Sequence, residues 1–165
     1  MSIKVRKATV NDIAKIHDLL QLYSKLGRLL PRSTEEILMH LGSFLISEEN
    51  HAFAGCASLE VFTDDLGEVR SLAVDPTLAH SGHGRLLVAE LETEAHRLGL
   101  KRLMALTYVP MFFEKLGFTI IAMESLPEKV FGVCVTCPKF KHCDELAMIK
   151  HLECETSETS RGTKT

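Results

Sequence analysis

"RSLAVDPTLAHSGHGRLLVAELE", residues 70–92, decides how this chain is read. It opens as a strand, closes as a helix, and carries Gly82 and Gly84 at the junction. Glycine lets main-chain N–H groups approach a ligand more closely than a Cβ would permit. The start of a helix adds unpaired donors and a partial positive charge, so strand, Gly-x-Gly, helix is a physically sensible anion site. Two common nucleotide loops are disfavoured. A dinucleotide fingerprint needs a third glycine where Leu87 stands, and a tight junction where Asp75–Ser81 intervene. A Walker loop needs Gly-Lys-Ser/Thr, which is absent. A pyrophosphate cradle and an ordinary glycine turn both remain, and spacing alone does not choose between them.

Working outward, "IKVRKA" alternates as a short strand. "TVNDIAKIHDLLQLYSKLG" follows as a helix, with Asn11 as N-cap, Ile13, Ile16, Leu20 and Tyr23 on one face, and Gly27 as the stop. Ser33 opens "STEEILMHL" with Glu36 at capping-box spacing, and the preceding "LLPR" sets Arg32 at the helix entrance. "SFLIS", "AFAGCASLEVFTD" and "GEVRSLAV" read as strands, the first two flanking the polar "EENH". Residues 84–98 form a helix with Leu87, Leu91, Ala95 and Leu98 on its apolar face and Gly99 closing it. "RLMALT" is a strand, "MFFEKLG" a short helix and "FTIIAM" a last strand. The expected architecture is one α/β (α+β) domain over residues 1–152 with a mixed sheet. A short Cys-containing C-terminal extension covers 126–152, and the polar tail 153–165 is expected to be disordered.

The 165 residues are 45% hydrophobic and 25% charged, with a net charge of -3, which excludes a broad cationic field for nucleic acid or an anionic membrane surface. No apolar run approaches the roughly 18 residues of a membrane span. "MSIKVRKATV" lacks the apolar core of a signal peptide, so the cytoplasm is the expected location.

"EVRSLAVDPTLAHSGHGRLLVAELE" followed by "MFFEKLGF" resembles the GCN5-related N-acetyltransferase superfamily across residues 3–123. That family's loop reads Arg/Gln-x-x-Gly-x-Gly/Ala, and Ala79 departs from it at the first position. The resemblance implies a mixed, mostly antiparallel sheet flanked by helices, and acetyl-CoA binding with the pyrophosphate on the amides of Ser81, Gly82, His83, Gly84 and Arg85. It also implies that the main chain of Leu72, Ala73 and Val74 faces the thioester and pantetheine arm. A main-chain N–H aimed at the thioester oxygen would contribute about 3 kcal/mol as an oxyanion donor. The side chains of His80 and His83 are expected to face solvent.

A narrower resemblance concerns the acceptor. "LLPRSTEEI", "GCASLEV", "GEVRSLAV", "LTYVPMFFEKLGF" and "LPEKVFGVCVTCPKFKHCDELAM" together look like the short, stand-alone bacterial N-acetylglutamate synthases over residues 3–152. It implies acetyl transfer to L-glutamate at the start of arginine biosynthesis, without the kinase-like domain that carries arginine feedback in two-domain synthases. Arg32 and Ser33 match the synthase Arg-Ser motif and are the expected glutamate contacts, joined by Arg70, because planar guanidinium groups bind carboxylates bidentately. A surface arginine beside an ordinary cap, and a cross-sheet salt bridge at Arg70, are the plainer readings.

The glutamate ammonium must lose a proton before it attacks the thioester directly in a ternary complex. Glu68 shares a strand face with residues 70, 72 and 74 and is the candidate base. Many superfamily members place an acidic tyrosine where Phe113 stands, a phenylalanine shared with the synthase branch; Tyr108 is the alternative donor, and a packed tyrosine its plainer role. "CVTCPKFKHC" offers Cys134, Cys137 and Cys143 as a zinc site completed by His142, His151 or Cys154, or as structural or redox thiols. Cys56 reads as a buried core thiol. The competing functions are acetylation of another small amine, and a coenzyme-A-binding metal or redox sensor. A homodimer is left open.

Overall fold

The computed structural model describes residues 2–125 and 146–152. Their element order is β1 (Ile3–Lys7), α1 (Ile13–Lys25), α2 (Thr34–Met39), β2 (Phe44–Glu49), β3 (Ala52–Val61), β4 (Leu66–Val74), α3 (His83–Leu98), β5 (Arg102–Thr107), α4 (Pro110–Glu114), β6 (Thr119–Ile121) and β7 (Leu146–His151). The fold is α/β, a seven-stranded sheet flanked by helices. The described residues fall into two compact units. One holds those up to Glu60 together with Glu68–Glu94; the other holds Val61–Gly67 and those from Ala95 on.

In the first unit the strand order is β1-β2-β3-β4. β1 pairs antiparallel with β2, Val5 opposite Ser47, and β2 pairs antiparallel with β3, Ile46 opposite Cys56. The "EENH" segment forms a two-residue hairpin turn at Asn50 and His51, both with positive φ (51° and 70°), the twist that suits a tight hairpin. Ile16, Leu19, Leu20, Ile37, Phe44, Ile46, Cys56 and Ala73 form its core, with Ile13 and Tyr23 packed against them. α1 ends at the expected place, where Arg28 N–H reaches Tyr23 O (3.0 Å) and Gly27 N–H reaches Ser24 O (3.0 Å).

The start of α1 differs from expectation. Asn11 lies inside a one-turn 3-10 helix, Val10–Asp12, and Asp12 stands at the N-cap position of α1 with its carboxylate turned back to Thr9, not onto the helix. Asp12 accepts from Thr9 N–H (2.7 Å) and receives both Nη groups of Arg6 (2.8 and 2.9 Å), while Arg6 Nε reaches Glu48 (3.2 Å). The Arg6 guanidinium holds the Asp12 carboxyl down at about 2, against an ordinary 3.8. A depressed carboxyl contributes stability above its unfolded pKa and loses it as pH falls toward the folded one. Asp12→Asn is therefore expected to cost about 1–2 kcal/mol at neutral pH, discounted because Arg6 is 30% exposed. Urea unfolding midpoints should show the gap closing between pH 4 and pH 2; a gap independent of pH would assign the loss to something other than this ion pair.

In the second unit the order is β5-β7-β6. β7 pairs antiparallel with both neighbours, Met148 opposite Ala105 on β5 and Ile120 on β6. β7 is absent from the sequence-based reading, which ended the sheet at "FTIIAM". Leu66, Met104, Ala147 and Ile149 form the core here. On α3, Leu87, Val88, Leu91 and Ala95 are buried as the helical period requires, but Leu98 is 46% exposed. The helix unwinds there, and Leu100, bonded through its N–H to Ala95 O (2.9 Å), is buried in its place. The cysteine segment around Cys134, Cys137 and Cys143, with His142 and Cys154, and the tail 153–165 lie outside the described residues.

Candidate active site

The site is organised by an irregularity in β4. Ser71 has φ of +53°, a left-handed backbone in the middle of a strand. Such a residue breaks the period-two alternation, so the parity that put residues 68, 70, 72 and 74 on one face does not run through it. It also takes carbonyls out of a regular ladder, and side chains of β3 satisfy them. Ser58 Oγ–H donates to Arg70 O (3.2 Å) and Cys56 S–H to Ser71 O (3.4 Å). Burial pushes the Cys56 thiol up to about 12, so it stays protonated, a core thiol as its sequence context suggested.

Arg32 sits on this irregularity. It is 6% exposed, not a surface residue. Its Nη1 donates to Ser71 Oγ (2.9 Å) and Ser58 Oγ (3.4 Å), and its guanidinium carbon lies 5.1 Å from the centre of the Phe44 ring. Ser33 caps α2, its Oγ accepting from Glu36 N–H (3.1 Å). The return half of the capping box is not made; the Glu36 carboxylate turns to Arg32, Oε2 lying 3.3 Å from Nε. That contact is an ion pair without hydrogen-bond alignment, and Arg32 Nε and Nη2 are buried with no hydrogen-bond acceptor among the described residues. Burial first, and then the charge of Arg70, lower the Arg32 pKa. A buried cation whose Nη2 has no acceptor and whose Nε has only the half-exposed Glu36 carboxylate beside it has the chemistry of an anion-binding group.

Arg70 lies in a chain of charges. Its Nη1 is 3.4 Å from Glu60 Oε1 and its Nε 3.6 Å from Glu68 Oε1, while His40 Nδ1 is 4.0 Å from Glu60 Oε2. The cross-strand salt bridge, the plainer reading of Arg70, is thus present. Glu68 is 3% exposed on the same strand.

Beyond β4 the chain passes His80 (φ 66°) and Gly82 (φ 101°) before α3 begins at His83. Leu86 N–H is the first to bond back, to Gly82 O (3.1 Å), and no main-chain acceptor among the described residues takes the N–H of Gly82, His83, Gly84 or Arg85. Residues 82–85 therefore present consecutive amides with no main-chain acceptor, a row whose chemistry suits an anion. On β4, Ala73 contributes only main chain, since its side chain is in the core, and the Val74 carbonyl already accepts from Tyr23 O–H (2.6 Å).

The profile of the acetyltransferase (GNAT) family matches residues 13–118. The chain belongs to that family. An uncharacterized N-acetyltransferase of Chlorobaculum tepidum is 35% identical over 148 residues, covering 90% of this chain and 96% of the relative. The amino-acid acetyltransferase of Buchnera aphidicola subsp. Schizaphis graminum is 32% identical over 88% of this chain and 33% of its own length. Among solved structures, the N-acetylglutamate synthase of Neisseria gonorrhoeae, complexed with coenzyme A and N-acetyl-glutamate, superposes with a TM-score of 0.82 at 28% identity, over 93% of this chain and 36% of that one. The chain thus spans about a third of the length of these last two proteins.

Within this GNAT chain the position of Phe113 is apolar: the ring is 4% exposed and packs edge-on against Phe112 (5.0 Å) and Phe118 (5.2 Å). Tyr108 follows β5 in the second unit. His80 is exposed, as anticipated, but His83 is not: it is 1% exposed, with both ring nitrogens bonded to β2. The expectation of a solvent-facing His83 fails because the first residue of α3 turns inward, where Ser47 and Glu49 supply its partners. Sequence reasoning also missed Ser58 and Ser71 as the acceptors for Arg32, and Tyr23 as the donor to Val74. The one local signal was Ser58, a hydroxyl inside the apolar run 52–59 of β3. No helix among the described residues is long and apolar enough to cross a membrane, and they contain no cluster of three metal-ligating side chains.

Proposed function

We propose that the chain transfers the acetyl group of acetyl-CoA to the α-amine of L-glutamate, the reaction of an N-acetylglutamate synthase in arginine biosynthesis. The observation that carries the acceptor is Arg32, buried at the entrance of α2 with Nε and Nη2 lacking hydrogen-bond acceptors. A carboxylate supplies the two acceptor oxygens in one plane that this fork requires. Ser33, next in the chain and already capping α2, offers a hydroxyl beside it. Arg70 is the candidate for the second carboxylate, which would compete with Glu60 for the guanidinium. A neutral amine would leave the Arg32 donors buried and unmet, and so be disfavoured.

Bound acetyl-CoA supplies an activated acyl thioester. The chain's part is to hold and to move a proton. The open amides from Gly82 to Arg85 hold the diphosphate, with that of Ser81 at the edge of the cradle. The main chain of Leu72–Val74 aligns the pantetheine arm, with the Val74 carbonyl fixed by Tyr23. Glu68 takes the proton of the acceptor ammonium, directly or through water, with the Arg70 guanidinium 3.6 Å from its carboxylate. The amine then attacks without a covalent acyl-enzyme. The leaving thiolate takes a proton from Tyr108 or from water.

A panel of amines at saturating acetyl-CoA tests the acceptor, with release of free coenzyme thiol as the readout. The expected result is turnover with glutamate well above that with glutamine, leucine or a simple polyamine. A preference for a neutral amine would replace this reading with another acetyltransferase, and coenzyme binding without turnover would favour a sensor.

A further inference from the structure

His83 is placed as no phosphate loop requires on its own account. Its main-chain N–H belongs to the row of open amides, yet its ring is fully buried and bonded at both ends to β2. Nε2 lies 2.7 Å from Glu49 Oε1 and Nδ1 3.0 Å from Ser47 Oγ. An ionised carboxylate only accepts, so Nε2 carries the proton donated to Glu49. In neutral imidazole that leaves Nδ1 to accept the Ser47 hydroxyl proton, and both ring nitrogens are satisfied. A ring held at two opposite atoms cannot turn about its side-chain bonds, so its Cα is fixed relative to the strand. Ser47 and Glu49 are two apart on a strand that is paired on both sides, to β1 and to β3. The anchor is therefore as rigid as the sheet.

We infer that His83 is a positioning residue for coenzyme binding, its imidazole acting as a strut that fixes the diphosphate-binding amides of residues 82–85 to β2 through Ser47 and Glu49. This rests on the reading of that loop as the coenzyme site. A loop held this way enters binding already ordered, and so avoids the entropy of ordering on contact with the ligand.

The test compares acetyl-CoA with S-acetylpantetheine, which carries the thioester but neither diphosphate nor nucleotide, in the full chain with glutamate. His83→Ala should lower the ratio of kcat/KM for acetyl-CoA over that for S-acetylpantetheine roughly tenfold, about the loss of one hydrogen bond to a charged group. The loss should appear in the acetyl-CoA KM. Should that variant not fold, Glu49→Gln against Glu49→Ala asks the same question: glutamine still accepts from Nε2 and should keep the ratio, whereas alanine should lower it. A proportional loss with both thioesters, or no distinction between the Glu49 variants, would reduce the trio to a packing contact and overturn the inference. Wild-type protein with no preference for acetyl-CoA over S-acetylpantetheine would instead fault the loop assignment itself.

Discussion

Arg32→Ala is expected to raise the KM for glutamate roughly 30- to 100-fold while moving the KM for acetyl-CoA only a few-fold, the loss of a charge-assisted, two-pronged contact. The asymmetry follows from where the guanidinium sits. Its Nη1 is already committed to Ser58 and Ser71, so a carboxylate would bridge Nε and Nη2, the two adjacent positions of the fork, displacing Glu36 from its 3.3 Å approach to Nε. Arg32→Lys should not restore the contact, because an ammonium cannot hold the Ser71 hydroxyl and present a planar fork at once. Steady-state kinetics against each substrate in turn decide the matter. Equal rises in both KM values, together with a lowered melting temperature, would show that Arg32 only props the irregular segment of β4 against Phe44.

Gly82→Val should weaken coenzyme A binding by roughly 10- to 100-fold, through the main chain instead of through a clash. Room is not the obstacle: a Cβ at Gly82 would meet Ile3 Cδ1 and Arg85 Nη2 at 3.9 Å, an ordinary contact. Conformation is. The φ of +101° lies where a β-branched residue is strained by about 1–3 kcal/mol. The valine variant relieves that strain by rotating the peptide, which turns the amides of residues 82–84 away from a common target. Calorimetric titration with coenzyme A reads the effect directly, and Gly82→Ala should show a smaller loss. Undiminished affinity in the valine variant would mean that the diphosphate is held elsewhere.

How far the sequence foretold this depends on whether local or distant partners decide each feature. Helix α3 and its glycine loop were legible because period and composition act within a few residues. Ser33 was legible as a cap for the same reason. The start of α1 was not: Asn11 is a good local cap, but the chain enters α1 through a 3-10 turn whose Asp12 is held by Arg6 on β1, a partner from another element. β7 escaped notice because "LAMIKH" is short and follows a cysteine-bearing segment, so only its ladders with β5 and β6 declare it. The role of Arg32 came from a resemblance, and its burial on a strand irregularity could not have been read at all. Left-handed backbone is foreseen where glycine stands, and position 71 is serine. His83 was misjudged because a polar residue in a glycine loop ordinarily faces water, whereas Ser47 and Glu49 lie more than thirty residues upstream.

The serine at 71 carries one more implication. Its backbone geometry costs about 1 kcal/mol that glycine would not, yet glycine would remove the hydroxyl that Arg32 holds at 2.9 Å. A hydrogen bond to a buried cation is worth about 1.5–3 kcal/mol, more than the strain it offsets, so the fold itself favours serine here. A screen that rewarded ruggedness alone would therefore keep the hydroxyl, and with it the seat of Arg32.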